Sequence, residues 1–398
     1  MKIIVKARPD SKTVAINATI GFGSNQEKDE HSGIAHFIEH MLFKGTKNRT
    51  EKQIVTEVER MGGVINAYTN QKRTYLFILI PAKHFTLGLD IVSDTILNSM
   101  FNEKELEKER MVILEEIKRK EDTPINNVWH MFPSTLYKKH PVIRDVLGRL
   151  ETVQKISRGD LLNYYKKYYV PNNIIISIVG NVNTDEVISK VKGAFRSARR
   201  KRVPIYNPPI EQPLIKIQEK IIKKQLDQAH MILSTRFMTL KDEDWPVGDF
   251  IHTILGSGAS SRLPQEIRST RGLAYDVLTW YDKFLDYGHF AVYVGTAKRN
   301  IKLVKQIILK ELSKLKTKKL SKKELDDVKT RIEGLRILEG EDNLALANDL
   351  SFFELFDKAE AYDTYLDRIR TITAADVMRV ANKYFDENKY AFTAIIPK

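Results

Sequence analysis

At 398 residues the chain exceeds one ordinary hydrophobic core and suits two domains of roughly 200 residues each. Its 42% hydrophobic and 29% charged residues are those of a globular protein, and no apolar run nears the ~18 residues of a membrane helix, which argues against disorder or a membrane partner. The net charge of +14 is spread along the chain with no aromatic-interleaved basic module, so nucleic acid is not an expected partner, and the lack of cysteine leaves His, Asp and Glu as donors for any metal.

In chain order, the first residues return to charge at Lys6 and Arg8 before a signal-peptide hydrophobic region can form, so a cytoplasmic location is expected. Ile3 to Lys6 and Val14 to Phe22 read as paired strands. A helical pattern follows, His36-Phe37-Ile38-Glu39-His40-Met41-Leu42-Phe43, between Gly33 and Gly45. Residues four apart on a helix share a face, so His36 and His40 offer imidazole nitrogens to one ion. Glu39 beside them has the geometry of a general base, reaching a water without being a ligand. The order His-x-x-Glu-His is that of the inverted zinc-peptidase motif.

Gly62-Gly63 reads as a hairpin turn into Val64-Ile-Asn66-Ala67-Tyr68-Thr69, and Tyr75 to Pro81 as a buried strand. A catalytic zinc usually takes three protein ligands, and the helix around Glu105 to Ile117 supplies several carboxylates among which spacing makes no choice. Farther on, Ile156-Ser-Arg-Gly-Asp160, Lys167-Tyr168-Tyr169 and Asn172 align with Ile372-Thr-Ala-Ala-Asp376, Lys383-Tyr384-Phe385 and Asn388 at a constant offset, 372 − 156 = 216. In both copies an amphipathic helix leads to a final apolar strand, Ile174 to Val179 or Tyr390 to Ile396. The second half also opens on paired strands, Ile217 to Lys223 and Ala229 to Phe237.

Arg196 to Pro213, basic and then proline-rich, reads as a linker between the repeats. Two related α+β domains are therefore expected, 1–207 and 208–398, each a mixed, mostly antiparallel sheet backed by helices. The second half has Ile-His252-Thr-Ile where the histidine motif would repeat, so His252 reads as structural, and it carries Arg268, Arg271 and Tyr275 after a Gly/Ser-rich segment.

His36-Phe-Ile-Glu39-His40-Met-Leu-Phe-Lys-Gly-Thr followed by Glu109-Arg-Met-Val-Ile-Leu-Glu-Glu116-Ile resembles the pitrilysin/insulysin family of zinc peptidases, in its short bacterial branch similar to the mitochondrial processing peptidase beta subunit. The resemblance implies one Zn2+ per chain held by His36, His40 and Glu116, the last because the family's third ligand follows the second histidine by 76 positions, 116 − 40 = 76. It implies that Glu109 supports the metal site and catalysis, and that an extended peptide adds to the edge strand at Asn66 and Ala67. An arginine and a tyrosine seven apart, here Arg268 and Tyr275, would bind the substrate backbone and stabilise the oxyanion, with Arg271 the competing arginine.

Longer members of that family fuse two such halves, so the resemblance implies a homodimer, or a heterodimer with a second family member. Arg268 and Tyr275 would then serve the zinc of the other copy across a closed chamber that admits unfolded peptides. The expected activity is that of a zinc metalloendopeptidase. The rival is a non-catalytic peptide-binding or structural subunit, and such subunits typically lack part of the zinc motif, whereas this chain has all of it.

Overall fold

Runs of aliphatic and β-branched residues form two five-stranded sheets with the same connectivity in the computed structural model, which describes residues 1–356 and 359–398. The first contains β1 (Lys2–Ala7), β2 (Thr13–Ile20), β3 (Val64–Thr69), β4 (Thr74–Pro81) and β5 (Ile174–Gly180), in the order β1-β5-β2-β4-β3. The second contains β6 (Gln218–Lys224), β7 (Ala229–Arg236), β8 (Ala274–Lys283), β9 (Gly288–Thr296) and β10 (Ala391–Pro397), in the order β6-β10-β7-β9-β8. One parallel pair opens each sheet, β1 with β5 and β6 with β10, and the other pairs are antiparallel. Both halves are thus α+β, as expected from the repeat, and residues 198–217 between them contain no helix or strand.

The aligned repeat has a local cause. Ser157 accepts the Asp160 N–H at 3.1 Å while the Asp160 carboxylate takes the Ser157 N–H at 2.9 Å, which starts the helix Arg158–Tyr168 that leads to β5. Thr373 and Asp376 do the same at 3.2 and 3.0 Å ahead of the helix Ala374–Tyr384 and β10. Such reciprocal caps satisfy N–H groups that a helix start leaves open.

The compact units are discontinuous where the sequence reading had contiguous ones, although both divide the chain between Asn207 and Pro208. One unit comprises Met1–Arg119, Arg144–Asn207 and Ile337–Asp363, and the other the remaining segments, Lys120–Ile143, Pro208–Arg336 and Thr364–Lys398. In the first, the helix Asn343–Glu354 lies on β2 and β5, with Ala347 fully buried and the Ser351 hydroxyl 3.0 Å from that of Thr19. In the second, a helix from the first half of the chain, Pro124–Leu136, covers β6, β7 and β10, and its Thr135 hydroxyl meets Thr393 at 2.9 Å. No helix among the described residues is long and apolar enough to cross a membrane.

Helix α1 (Ile34–Leu42) packs beneath β3 and β4 on the core side of the first sheet, burying Ile34, Phe37, Ile38, Met41 and Leu42. It starts at Gly33, whose φ of +97° favours glycine and where a Cβ would stand 2.7 Å from the Leu147 carbonyl oxygen. Glycine has no side chain to cap the helix, and Glu27 does so from a distance. Its Oε2 accepts the Gly33 N–H at 2.9 Å and its Oε1 the Ala35 N–H at 2.8 Å. Burial pushes the Glu27 carboxyl up to about 8, against the pull of those two hydrogen bonds and of Arg144.

Glu27 titrates near 4.5 when unfolded, so between that value and about 8 the folded chain holds a proton that the unfolded chain lacks. The resulting stability is complete below the unfolded value and is lost as pH rises through about 8. Thermal unfolding of Glu27→Gln and the parent from about pH 5 to 8 should show the parent losing up to about 1.4 kcal/mol per pH unit relative to the variant. A pH-independent difference contradicts the shift.

Candidate metal centre

One face of α1 presents His36 and His40, their rings 4.6 Å apart at 68°. Helix α2 (Glu51–Arg60) follows, then α3 (Phe85–Asn98) and α4 (Glu103–Asp122), which carries the carboxylates. Glu116 Oε2 lies 3.8 Å from His36 Nε2 and 3.7 Å from His40 Nε2. One ligand atom from each of the three residues falls within 4.8 Å of the others, and no other such group of three occurs among the described residues. Donors around a tetrahedral zinc stand roughly 3.3–3.6 Å apart; the two glutamate–histidine separations exceed that by a few tenths of an ångström, so the set fits such an ion once its donors draw together.

Tertiary packing sorts the carboxylates of α4. Glu105, Glu107 and Glu115 pair with Lys108, Arg110 and Lys118 on their own helix, at 2.8, 2.9 and 2.7 Å. Glu109 and Glu116, seven residues or about two turns apart, both reach the histidines. Glu109 Oε2 meets His40 Nδ1 at 2.8 Å, the contact that orients a metal-binding imidazole. Burial raises the Glu109 carboxyl, but hydrogen bonds from His40 and Lys44 outweigh it and hold it below the usual range. For His40, burial works against the charged ring and is outweighed by Glu109, Glu116 and Glu39, so its affinity for a proton rises.

Glu39 projects from α1 toward the end of β3. Its Oε2 is buried and has no hydrogen-bond partner among the described residues. Burial raises its carboxyl above the usual range, opposed by hydrogen bonds from the Thr69 side chain and backbone. A carboxyl kept partly dry, near the end of an edge strand and beside a donor set for a cation, is suited to moving a proton.

The other sequence candidates fall in separate places. Asn66 and Ala67 lie on β3, the edge strand of the first sheet, with Asn66 exposed and Ala67 2% exposed. The Gly62 turn before β3 has a φ of +70°. Arg268 and Tyr275 lie in the second unit and touch, the guanidinium 4.5 Å above the phenol ring. Tyr275 is 73% exposed, and Arg268 sits in a π-helical turn, Gln265–Ser269, of a kind frequent at functional sites. Arg271 instead pairs with Glu266 at 2.7 Å. His252 accepts or donates at Nδ1 with the Thr279 hydroxyl at 2.8 Å, and burial lowers its pKa to about 4, which suits a neutral structural ring.

Sequence reasoning missed Glu27, Lys44 and Thr69. Lys44 follows His40 by four residues, a spacing that hints at a shared side; nothing local in the sequence marks Glu27 or Thr69.

Residues 2–149 match the family described as insulinase (peptidase family M16), and residues 155–332 match the peptidase M16 inactive domain. The uncharacterized zinc protease YmxG of Bacillus subtilis is 30% identical over 398 residues, 100% of this chain and 96% of that protein. An uncharacterized zinc protease of Rickettsia felis is 31% identical over 390 residues, 97% and 93% of the two chains. Among solved structures, a protease from Helicobacter pylori superposes with a TM-score of 0.94 at 25% identity, covering 99% of this chain and 96% of that one. A peptidase M16 inactive domain from Pseudomonas fluorescens shares the fold, with a TM-score of 0.90 at 17% identity over 100% and 95% of the chains. With relatives matched end to end and both halves recognised, the chain belongs to the insulinase, or M16, family of peptidases.

Proposed function

We propose that this chain is a zinc metalloendopeptidase acting on unfolded peptides, with the ion held by His36, His40 and Glu116. The observation that carries the reading is the convergence of those three donors beside the buried Oε2 of Glu39. The names of the bacterial relatives, zinc proteases, agree with it. Zinc bound there supplies Lewis acidity toward a peptide carbonyl and makes a water easier to deprotonate.

The chain's own residues do the rest. Glu39 takes a proton from the attacking water as its oxygen bonds to the carbonyl carbon, then delivers it to the amide nitrogen as the C–N bond breaks. Glu109, through His40 Nδ1, keeps that imidazole's other nitrogen available. The open edge of β3 at Asn66 and Ala67 suits an extended peptide, which adds as a further strand with little sequence preference. Arg268 and Tyr275, a cation and a phenol in contact, both donate hydrogen bonds and suit a substrate carbonyl gaining charge. In this reading they act on peptide held at the metal of a second copy, in a homodimer.

Metal analysis should find one zinc per chain, and a chelator should abolish cleavage of a mixed peptide pool followed by mass spectrometry. Glu39→Gln should keep the zinc and lose at least about 100-fold in turnover; full activity in that variant removes the glutamate from the chemistry. Zinc binding without hydrolysis in the parent would favour the rival reading, a peptide-binding subunit. Neither Glu39→Gln nor Arg268→Ala/Tyr275→Phe should turn over alone, and mixing them should restore activity. No restoration means that each site is built within one chain.

A further inference from the structure

Just past α1 and ahead of a turn at Gly45, φ +105°, the Lys44 ammonium reaches α4. Lys44 Nζ lies 2.9 Å from Glu109 Oε1 and 2.6 Å from Glu51 Oε1. The two oxygens of Glu109 are thereby divided, Oε1 to Lys44 and Oε2 to His40 Nδ1 at 2.8 Å. The turn itself is anchored. Thr46 donates to Asp94 Oδ2 at 2.6 Å, and Arg49 joins Asp94 at 3.2 Å and Asp90 at 2.6 Å. With 18% of its side chain exposed, Lys44 is partly dehydrated, where a charged hydrogen bond is stronger than in open water.

We propose that Lys44 is a positioning residue of the metal centre, acting through Glu109. By occupying Oε1 it stops the carboxylate from rotating and commits Oε2 to the Nδ1–H of His40. That contact selects the imidazole tautomer whose Nε2 lone pair faces His36 and Glu116. A lysine serving only the surface pair with Glu51 would have no such effect.

The inference rests on the zinc reading above, so wild-type zinc affinity is measured first, by competition with a chromophoric chelator. Lys44→Met should bind zinc about 10- to 100-fold more weakly. Lys44→Gln keeps a donor for Oε1 and should lose less, and Glu51→Gln should stay within about threefold of the parent. The double variant Lys44→Met/Glu109→Gln should be no weaker than Glu109→Gln alone, because the lysine acts through that carboxylate. The cobalt-substituted form adds a spectroscopic readout: Lys44→Met should alter the visible bands while far-UV circular dichroism stays unchanged.

If Lys44→Met fails to fold, Lys44→Leu, which likewise offers Oε1 no donor, and Glu51→Gln carry the comparison. Parent-like affinity in Lys44→Met or its substitute Lys44→Leu, or losses that multiply in the double variant, overturns the role of Lys44 alone. A parent that binds no zinc overturns the zinc reading as well.

Discussion

The centre depends on crowded negative charge. Glu39, Glu109 and Glu116 converge on two imidazoles in a partly dehydrated space, where like charges repel more strongly than in water. Lys44 offsets part of that charge at Glu109. A bound divalent cation would offset the rest, which is why this arrangement suits a metal better than it suits an empty polar core.

Holding such a cluster together requires a helix that cannot slide. Helix α1 is fixed at its start by Gly33 and the buried carboxyl of Glu27, along its length by apolar residues under β3 and β4, and past its end by the Lys44–Glu109 pair. Buried packing resists small displacements and so restrains the spacing of the donors. The same packing sets Glu39 beside Thr69, the last residue of the edge strand β3.

The second unit shows what this fold does without the motif. Its sheet repeats the first strand for strand, and its helix Trp245–Gly256 occupies the same place in the order of elements as α1. There His252 is a neutral ring bonded to Thr279, and Arg268 and Tyr275 form a separate cation–aromatic pair. The scaffold repeats while the side chains on this helix face differ, because strand pairing and capping constrain the backbone far more than they constrain one helix face.

Local signals in the sequence determined most of the strands but not β8 or β9, nor the pairing, since β5 lies between Ile3–Lys6 and Val14–Phe22 and β10 between Ile217–Lys223 and Ala229–Phe237, which read as paired. They also determined the repeated helix starts at Ser157 and Thr373, the proline-rich break and the His36–His40 face. Each of these follows from hydrogen bonding or periodicity within a few residues. Tertiary structure alone decided which α4 carboxylates turn inward, since Glu115 and Glu116 are adjacent in sequence and differ only in the side of the helix they occupy. It also decided the discontinuous units and the return of Lys44 to Glu109, contacts between residues far apart in the chain, and the cap from Glu27, six residues ahead of Gly33 across a turn without a local signal. Spacing along a chain carries no information about such contacts until packing closes the loops between them.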